Sequence, residues 1–304
     1  MTINTLMKIS KSYQLNWGFD RMTTVLLTGG GGALGKQVAE RFRSCGYSVV
    51  CGSRRTAKSD YECILDVTDA DSVVDALLSV KPTLIVHLAA TFVNNYDLAY
   101  STNVLGAKNI LTAVQKSGQP VRVVLAGSAA EYGLVAPEEN PISEDRILRP
   151  VSIYGMTKSW QNSYGLMCSY QGMDVVVARI FNLDGEGVSS SLFVGRINEQ
   201  IKEVLAGLRK RIEVGSLSAI RDYISMKDAA LQLVAISQRG QSGQIYHVAS
   251  GLPISMRDFL KKRLSRAGLD FSIVDEAPAL SFRSGYDVPV IYANISRTIA
   301  LLDE

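Results

Sequence analysis

Up to about residue 182 the chain alternates two kinds of stretch, short continuous apolar runs and segments whose apolar residues recur at helical spacing. Val25-Leu26-Leu27-Thr28, Tyr47-Ser48-Val49-Val50-Cys51, Thr83 to Ala90, Val121 to Ala126 and Asp174 to Arg179 are of the first kind. The second kind comprises 33–44 (Leu34, Val38 and Phe42 on one face), the stretch from Val73 to Leu78, and a long region ending near Gln115. Apolar runs that do not alternate with polar residues predict strands buried on both faces, and so a parallel sheet covered by helices. Right-handed crossovers make this an α/β fold with a doubly wound Rossmann sheet.

From about residue 183 the rhythm loosens. Short helices are expected from Ile197 to Leu208 and from Met256 to Leu264, with strand-like pieces at Ile212-Glu213-Val214 and Phe271-Ser272-Ile273-Val274. We read residues 22–182 as the dinucleotide-binding domain and 183–304 as mainly a smaller α/β substrate lobe at the carboxyl edge of the sheet, where open α/β sheets bind ligands. The stretch 221–248 is expected to return to the main domain. Residues 1–21 are mixed and polar and read as an N-terminal extension without an assigned role; they lack the apolar core of a signal peptide. No apolar run is long enough to span a bilayer.

The loop after the first strand carries four consecutive glycines, Gly29 to Gly32, followed by Ala33, Leu34 and Gly35. Gly29, Gly32 and Gly35 have the G-x-x-G-x-x-G spacing of a backbone that turns sharply off a strand and approaches a pyrophosphate. The phosphate then rests on the free N–H groups of Gly31, Ala33 and Leu34 at a helix start. A flexible glycine loop is the competing reading, but the strand before and the helix after favour the dinucleotide. An NAD site would place Asp or Glu at the end of the second strand, whereas this chain has Ser53-Arg54-Arg55. Hydroxyl and guanidinium groups suit a 2′-phosphate, which predicts NADP(H) unless the two arginines are only a solvated loop. Asp66 and Val67 are placed to reach the adenine, with helix capping around Thr68-Asp69 as the competing role.

Composition narrows the partners. The 304 residues are 47% hydrophobic and 20% charged, with a net charge of +3, too small to argue for nucleic acid or an anionic membrane. Cys45, Cys51, Cys63 and Cys168 form no C-x-x-C pair and read as reduced thiols of a cytoplasmic protein. His87 and His247 are the only histidines, and neither has a neighbour at metal-ligand spacing, so no metal site is expected.

The candidate chemistry lies in Ser128 and in Tyr154-Gly155-Met156-Thr157-Lys158. Ser128 follows a strand directly, which puts it at the carboxyl edge of the sheet. Tyr154 and Lys158 stand at i and i+4 on one helix face. A phenol near pKa 10 is a poor proton donor or acceptor at neutral pH. A nearby ammonium is expected to lower that value, and Ser128 to hydrogen-bond a substrate carbonyl. Together these serve hydride transfer to a ketone, with Tyr154 protonating the oxygen. Tyr223 and Lys227 repeat the spacing without a serine-bearing strand end, and we read them as structural.

At this point the chain resembles the extended short-chain dehydrogenase/reductase family of sugar-nucleotide enzymes, the epimerase/dehydratase type. The matching pieces include Thr28 to Gly35, His87-Leu88-Ala89-Ala90, Asn103 to Ala107, Ser128 to Gly133, Tyr154 to Lys158, Arg179 to Asn182, Arg221 to Ile224 and Tyr246 to Gly251. Glu131-Tyr132-Gly133, Phe193-Val194 and Val214 to Asp222 look most like GDP-4-keto-6-deoxy-D-mannose reductases. The resemblance implies Ser128, Tyr154 and Lys158 as the catalytic triad. It implies Leu88, Ala89, Ala90 and Asn103, with Tyr154 and Lys158, along the cofactor cleft. Arg221 and Arg283 are implied at the phosphates of a sugar nucleotide, and Thr91, Ala129, Tyr132, Asn182 and Phe193 in the sugar pocket, beside Ser128. It also implies a homodimer built on the helices near 95–115 and 154–171, with Leu98, Val104, Leu111, Trp160, Tyr164 and Met167 as a possible apolar seam; core burial explains the same spacing.

Sugar-nucleotide dehydratases of this family carry Asp-Glu after the catalytic Ser or Thr, because removing water needs an acid and a base. Here those positions are Ala129 and Ala130, which disfavours dehydration. Asn182-Leu-Asp-Gly-Glu-Gly187 also replaces the usual Asn-His-x-Gly-Pro-Gly. The expected activity is NADPH-dependent reduction of a nucleotide-activated 4-keto-6-deoxyhexose. The alternatives are a 4-epimerase, against which Arg54 and Arg55 speak, and a non-catalytic NADP-sensing protein, against which the retained Tyr154 and Lys158 speak.

Overall fold

The computed structural model describes residues 23–57, 59–277 and 288–303. Seven strands form an all-parallel sheet in the order β3-β2-β1-β4-β5-β6-β10. They are β1 (Thr24–Thr28), β2 (Ser48–Ser53), β3 (Glu62–Ile64), β4 (Leu84–His87), β5 (Arg122–Ser128), β6 (Val175–Ile180) and β10 (Ile245–Val248). The order reverses between β1 and β4, and that switch point opens the crevice where such sheets take their ligands.

Helices α1 (Ala33–Ser44) and α7 (Met226–Arg239) cover one face, with α9 (Ser296–Asp303) behind them. The other face carries α2 (Ala70–Val80), α4 (Gly106–Ser117) and α5 (Ile153–Tyr170). Val25, Val38, Phe42, Val86, Val124 and Val176 fill the first layer, and Leu26, Ile85, Ile110, Leu111, Val123 and Leu125 the second. Successive residues of one strand thus serve opposite layers, which explains the unbroken apolar runs. Observed strands differ from the expected ones by one to three residues at their ends: β2 runs on to Ser53, β4 stops at His87 short of Ala90, and β5 runs to Ser128, which is its last residue.

Between β4 and α4 the chain passes through α3 (Tyr96–Ala99) and a π-helical turn (Tyr100–Leu105). The C-terminal part adds β7 (Asn182–Asp184), α6 (Phe193–Leu205), β8 (Ile212–Val214), β9 (Ile220–Ser225), β11 (Pro253–Ser255), α8 (Met256–Arg266) and β12 (Val274–Glu276). These form a three-stranded sheet, β11-β9-β7, a parallel pair, β12-β8, and an apolar cluster of their own around Ile197, Ile212, Leu217, Leu260 and Leu264. Phe271–Ile273, expected as strand, is a 3-10 turn leading into β12. No described helix is long and apolar enough to cross a membrane.

Candidate active site

The glycine loop leaves β1 with Gly29 at φ +71° and closes with Gly32 N donating to Gly29 O at 3.0 Å. A Cβ on Gly29 would stand 2.9 Å from Ala89 N, and one on Gly35 would stand 2.2 Å from Gly29 O, so strand, loop and helix are packed at backbone contact. α1 then starts at Ala33 with Gly32 as N-cap and no side-chain hydrogen bond to its first N–H groups. That uncapped positive helix end beside an open loop fits a dinucleotide pyrophosphate, and Gly31, Gly32, Ala33 and Leu34 would hold it. Ser53 ends β2, and Arg54 and Arg55 follow it, exposed, with no carboxylate between. Leu88 and Ala89 lie across from the loop, held by their N–H groups donating to Thr28 O and to Thr28 Oγ1. Ala90 follows, half-buried.

Two of the expected cofactor residues are buried. Val67 is 5% exposed and packs its side chain in the core, and its carbonyl accepts from Asn109 Nδ2 at 2.9 Å. Asn103 is fully buried. Its Nδ2 donates to Thr91 O at 3.2 Å and to Thr157 Oγ1 at 3.0 Å, and its Oδ1 accepts from Thr91 N at 2.9 Å. It ties the loop after β4 to α5 from within the π-helical turn. Asp66 Oδ1 accepts from the Thr68 N–H and hydroxyl, which hold its carboxyl below the usual range. The cap of α2 itself is Asp69.

Ser128 and Tyr154 come together because α5 sits against the 3-10 turn Ala129–Glu131. A Cβ on Gly155 would stand 2.3 Å from Ala130 O, a distance only glycine allows. Ser152 caps α5 by accepting from Gly155 N at 3.0 Å, which fixes where the helix begins. The Ser128 side chain accepts from Ala130 N at 3.2 Å and faces the Tyr154 phenol. Burial pushes the phenol well above its ordinary value, with the nearby Ser128 hydroxyl working the other way. The Lys158 ammonium, expected to lower it, donates to Gln161 Oε1 at 2.7 Å. Burial pulls Lys158 itself down to about 8, opposed by the Glu131 carboxylate.

The side chain of Glu131 is fully buried. It accepts from Ser128 N at 2.6 Å, from Asn162 Nδ2 at 2.7 Å and from Arg179 Nε at 3.0 Å. Tyr132, expected in the sugar pocket, is fully buried, with its hydroxyl 2.5 Å from His247 Nε2, donating to Ser143 O and accepting from Arg179 Nη1. Burial raises it to about 12.

Thr91 and Ala129 are half-buried, Ala129 next to Ser128 in the chain and Thr91 bonded to Asn103. Asn182 begins β7 and donates to Asp222 O at 3.0 Å, and Phe193 opens α6 with its ring 6.3 Å from that of Phe259. Arg221 lies on β9, 7% exposed, with Nη1 donating to Ile220 O. Arg283 lies outside the described residues. Tyr223 belongs to a strand and stacks on Phe259 at 4.0 Å, away from any shared helix face with Lys227. Among the described residues no cluster of His, Cys, Asp or Glu could hold a metal.

Sequence reasoning passed over Phe92, Gln161 and Asn162. The Phe92 ring is 4.6 Å from that of Tyr154, at 40°, from a loop with no recognisable motif. Gln161 and Asn162 sit one turn past Lys158, where a polar helix residue ordinarily reads as solvated.

Comparison with known proteins places these features. The chain is similar to the GDP-6-deoxy-D-mannose reductase of Pseudomonas aeruginosa, with 29% identity over 218 residues, 69% of this chain and 71% of that one. It is also 29% identical to a GDP-6-deoxy-D-talose 4-dehydrogenase of Aggregatibacter actinomycetemcomitans over 238 residues, 76% of each. Its fold matches that of RMD from Pseudomonas aeruginosa complexed with NADPH, at a TM-score of 0.80 and 23% identity, covering 93% of this chain and 91% of that one. With residues 25–249 matching its family model, the chain belongs to the NAD dependent epimerase/dehydratase family.

Proposed function

We propose that this protein reduces the 4-keto group of a nucleotide-activated 6-deoxyhexose, of the GDP-4-keto-6-deoxy-D-mannose type, with NADPH. The observation that carries the reading is Ser128 at the end of β5 facing a half-buried Tyr154, whose phenol is held well above its ordinary range, beside an uncapped dinucleotide loop. Similarity to two oxidoreductases of GDP-6-deoxy sugars supports it. The dinucleotide, when bound, supplies the hydride that with one proton turns the ketone into a secondary alcohol. Ser128 Oγ donates to the carbonyl oxygen and orients it. Tyr154 gives its hydroxyl proton to that oxygen, and the upward push of burial keeps the proton on the phenol until the oxygen gains charge. Lys158 retains ammonium protons beyond the one given to Gln161, and these are available to the dinucleotide. Dehydration lacks its acid–base pair: Ala129 and Ala130 carry no acid, and Glu131 is committed to Arg179.

Arg54 and Arg55 support NADPH over NADH. We assign the sugar nucleotide to the lobe from residue 183 onward, with Asn182, Phe193 and Arg221 from that side and Thr91 and Ala129 from the other. The protein is a cytoplasmic homodimer in this reading. Incubation with freshly made GDP-4-keto-6-deoxymannose should consume NADPH stoichiometrically, with kcat/KM for NADPH above that for NADH. Tyr154→Phe should lower kcat by about 10²–10⁴-fold or more with NADPH affinity nearly intact. No NADPH consumption with any keto-sugar nucleotide overturns the reading.

A further inference from the structure

α5 buries a polar circuit that proton transfer by Tyr154 does not use. Lys158 and Gln161 are 1% and 0% exposed, and Lys158 Nζ donates to Gln161 Oε1 at 2.7 Å. Gln161 Nε2 donates in turn to Ala126 O on β5 at 3.0 Å and to Asn162 Oδ1 at 2.9 Å. Asn162 Nδ2 donates to Glu131 Oε1 at 2.7 Å, and that same oxygen accepts from the Ser128 N–H at 2.6 Å. The circuit thus runs from the ammonium of Lys158 to the main chain of Ser128 through buried groups alone.

We propose that Gln161 is a positioning residue for the reduction, holding the Lys158 ammonium in place and coupling it to the strand end that carries Ser128. The inference rests on the reading that Lys158 serves the chemistry. An amide meets both demands at this position: its oxygen accepts from the ammonium while its nitrogen donates to the Ala126 carbonyl. A carboxylate would leave Ala126 O without its donor, and an apolar side chain would leave both groups unpaired in the interior. With one Lys158 proton committed to Gln161, the ammonium is fixed in direction, and its remaining protons point elsewhere.

The charged and titratable groups around Lys158 are Glu131 from the turn after β5, His87 at the end of β4, and Tyr154 on α5 itself. Glu131 favours the ammonium, and its charge is shared with Arg179. His87 is fully buried and held down to about 3, first by burial and then by the Lys158 charge, so it stays neutral. Gln161 therefore supplies a neutral acceptor at hydrogen-bond distance, and its removal should be read directly in the titration of Lys158.

The test follows the side-chain resonance of Lys158 by NMR in ligand-free protein labelled with 13C-lysine, assigned by its absence from Lys158→Met. Gln161→Met keeps the volume and removes the acceptor; the titration midpoint should fall by about one to two pH units, as expected for a lost hydrogen bond to a charged group. Gln161→Glu should raise it. The alkaline limb of kcat/KM should move in the same directions. A midpoint unchanged in both variants, with or without a fall in thermal stability, overturns the proposal. If Gln161→Met does not fold, Gln161→Glu decides alone, and an unmoved midpoint there refutes it. The titration needs no substrate, so absence of NADPH consumption would refute the reductase reading and leave this result legible.

Discussion

Gly31 in the loop and Gly35 in the first turn of α1 face opposite demands. A Cβ on Gly35 would meet Gly29 O at 2.2 Å and Gly30 Cα at 2.8 Å, main-chain atoms that cannot yield without moving the loop off β1. A Cβ on Gly31 would meet nothing within 4 Å. Gly35→Ala should therefore abolish NADPH binding, while Gly31→Ala should leave the protein folded, with affinity changed by about tenfold or less, a difference of about 1.4 kcal/mol. Fluorescence titration with NADPH compares the two, and equal losses would contradict the packing argument. The two tyrosines at the carboxyl edge divide in the same way. Tyr132 spends its hydroxyl on Arg179, His247 and Ser143, whereas Tyr154 keeps its phenol beside Ser128.

At the scale of elements, α5 departs most from ordinary helix patterning. It buries Thr157, Lys158, Ser159, Gln161 and Asn162 and exposes Trp160, Met167 and Tyr170. The polar side chains go inward because they satisfy one another and the end of β5. The apolar ones stay outside beside α3, where Tyr96 and Leu98 are also exposed and the Trp160 ring stands edge-on to Tyr96 and Tyr100 at 6.3 and 6.0 Å. Leu111, expected in the same seam, is in the core, and Tyr164 packs against it. An exposed aromatic face of this kind suits the proposed dimer. Trp160→Asp should shift the sedimenting species from twice the chain mass to the single chain; a wild-type protein that sediments as a monomer would remove the dimer from the reading.

For the molecule as a whole, two buried histidines dictate a pH response. His87 and His247 are fully buried, and burial holds them down to about 3 and about 4, against 6.5 when unfolded. Between those values the unfolded chain binds more protons, so stability is complete above about pH 6.5 and falls as the pH drops. Glu144 and Asp222, raised by burial, act in the opposite sense and offset part of the loss. The free energy of urea unfolding should drop by about 2–4 kcal/mol between pH 7 and pH 5. A flat profile over that interval would mean that these rings are not excluded from charge by burial.

The amino-acid sequence determined the sheet and the glycine loop and pointed to the three residues proposed for the chemistry, because each leaves a local signature: unbroken apolar runs, fixed glycine spacing, and Tyr and Lys one turn apart. Long-range packing decided the rest. Whether Lys158 meets the Tyr154 phenol or Gln161, whether Glu131 serves as an acid or as the partner of Arg179, and whether Tyr132 or Phe92 stands beside the site depend on residues distant in the chain. Buried polar groups choose partners by proximity across α5, β5 and β6, and no spacing along one segment records that choice.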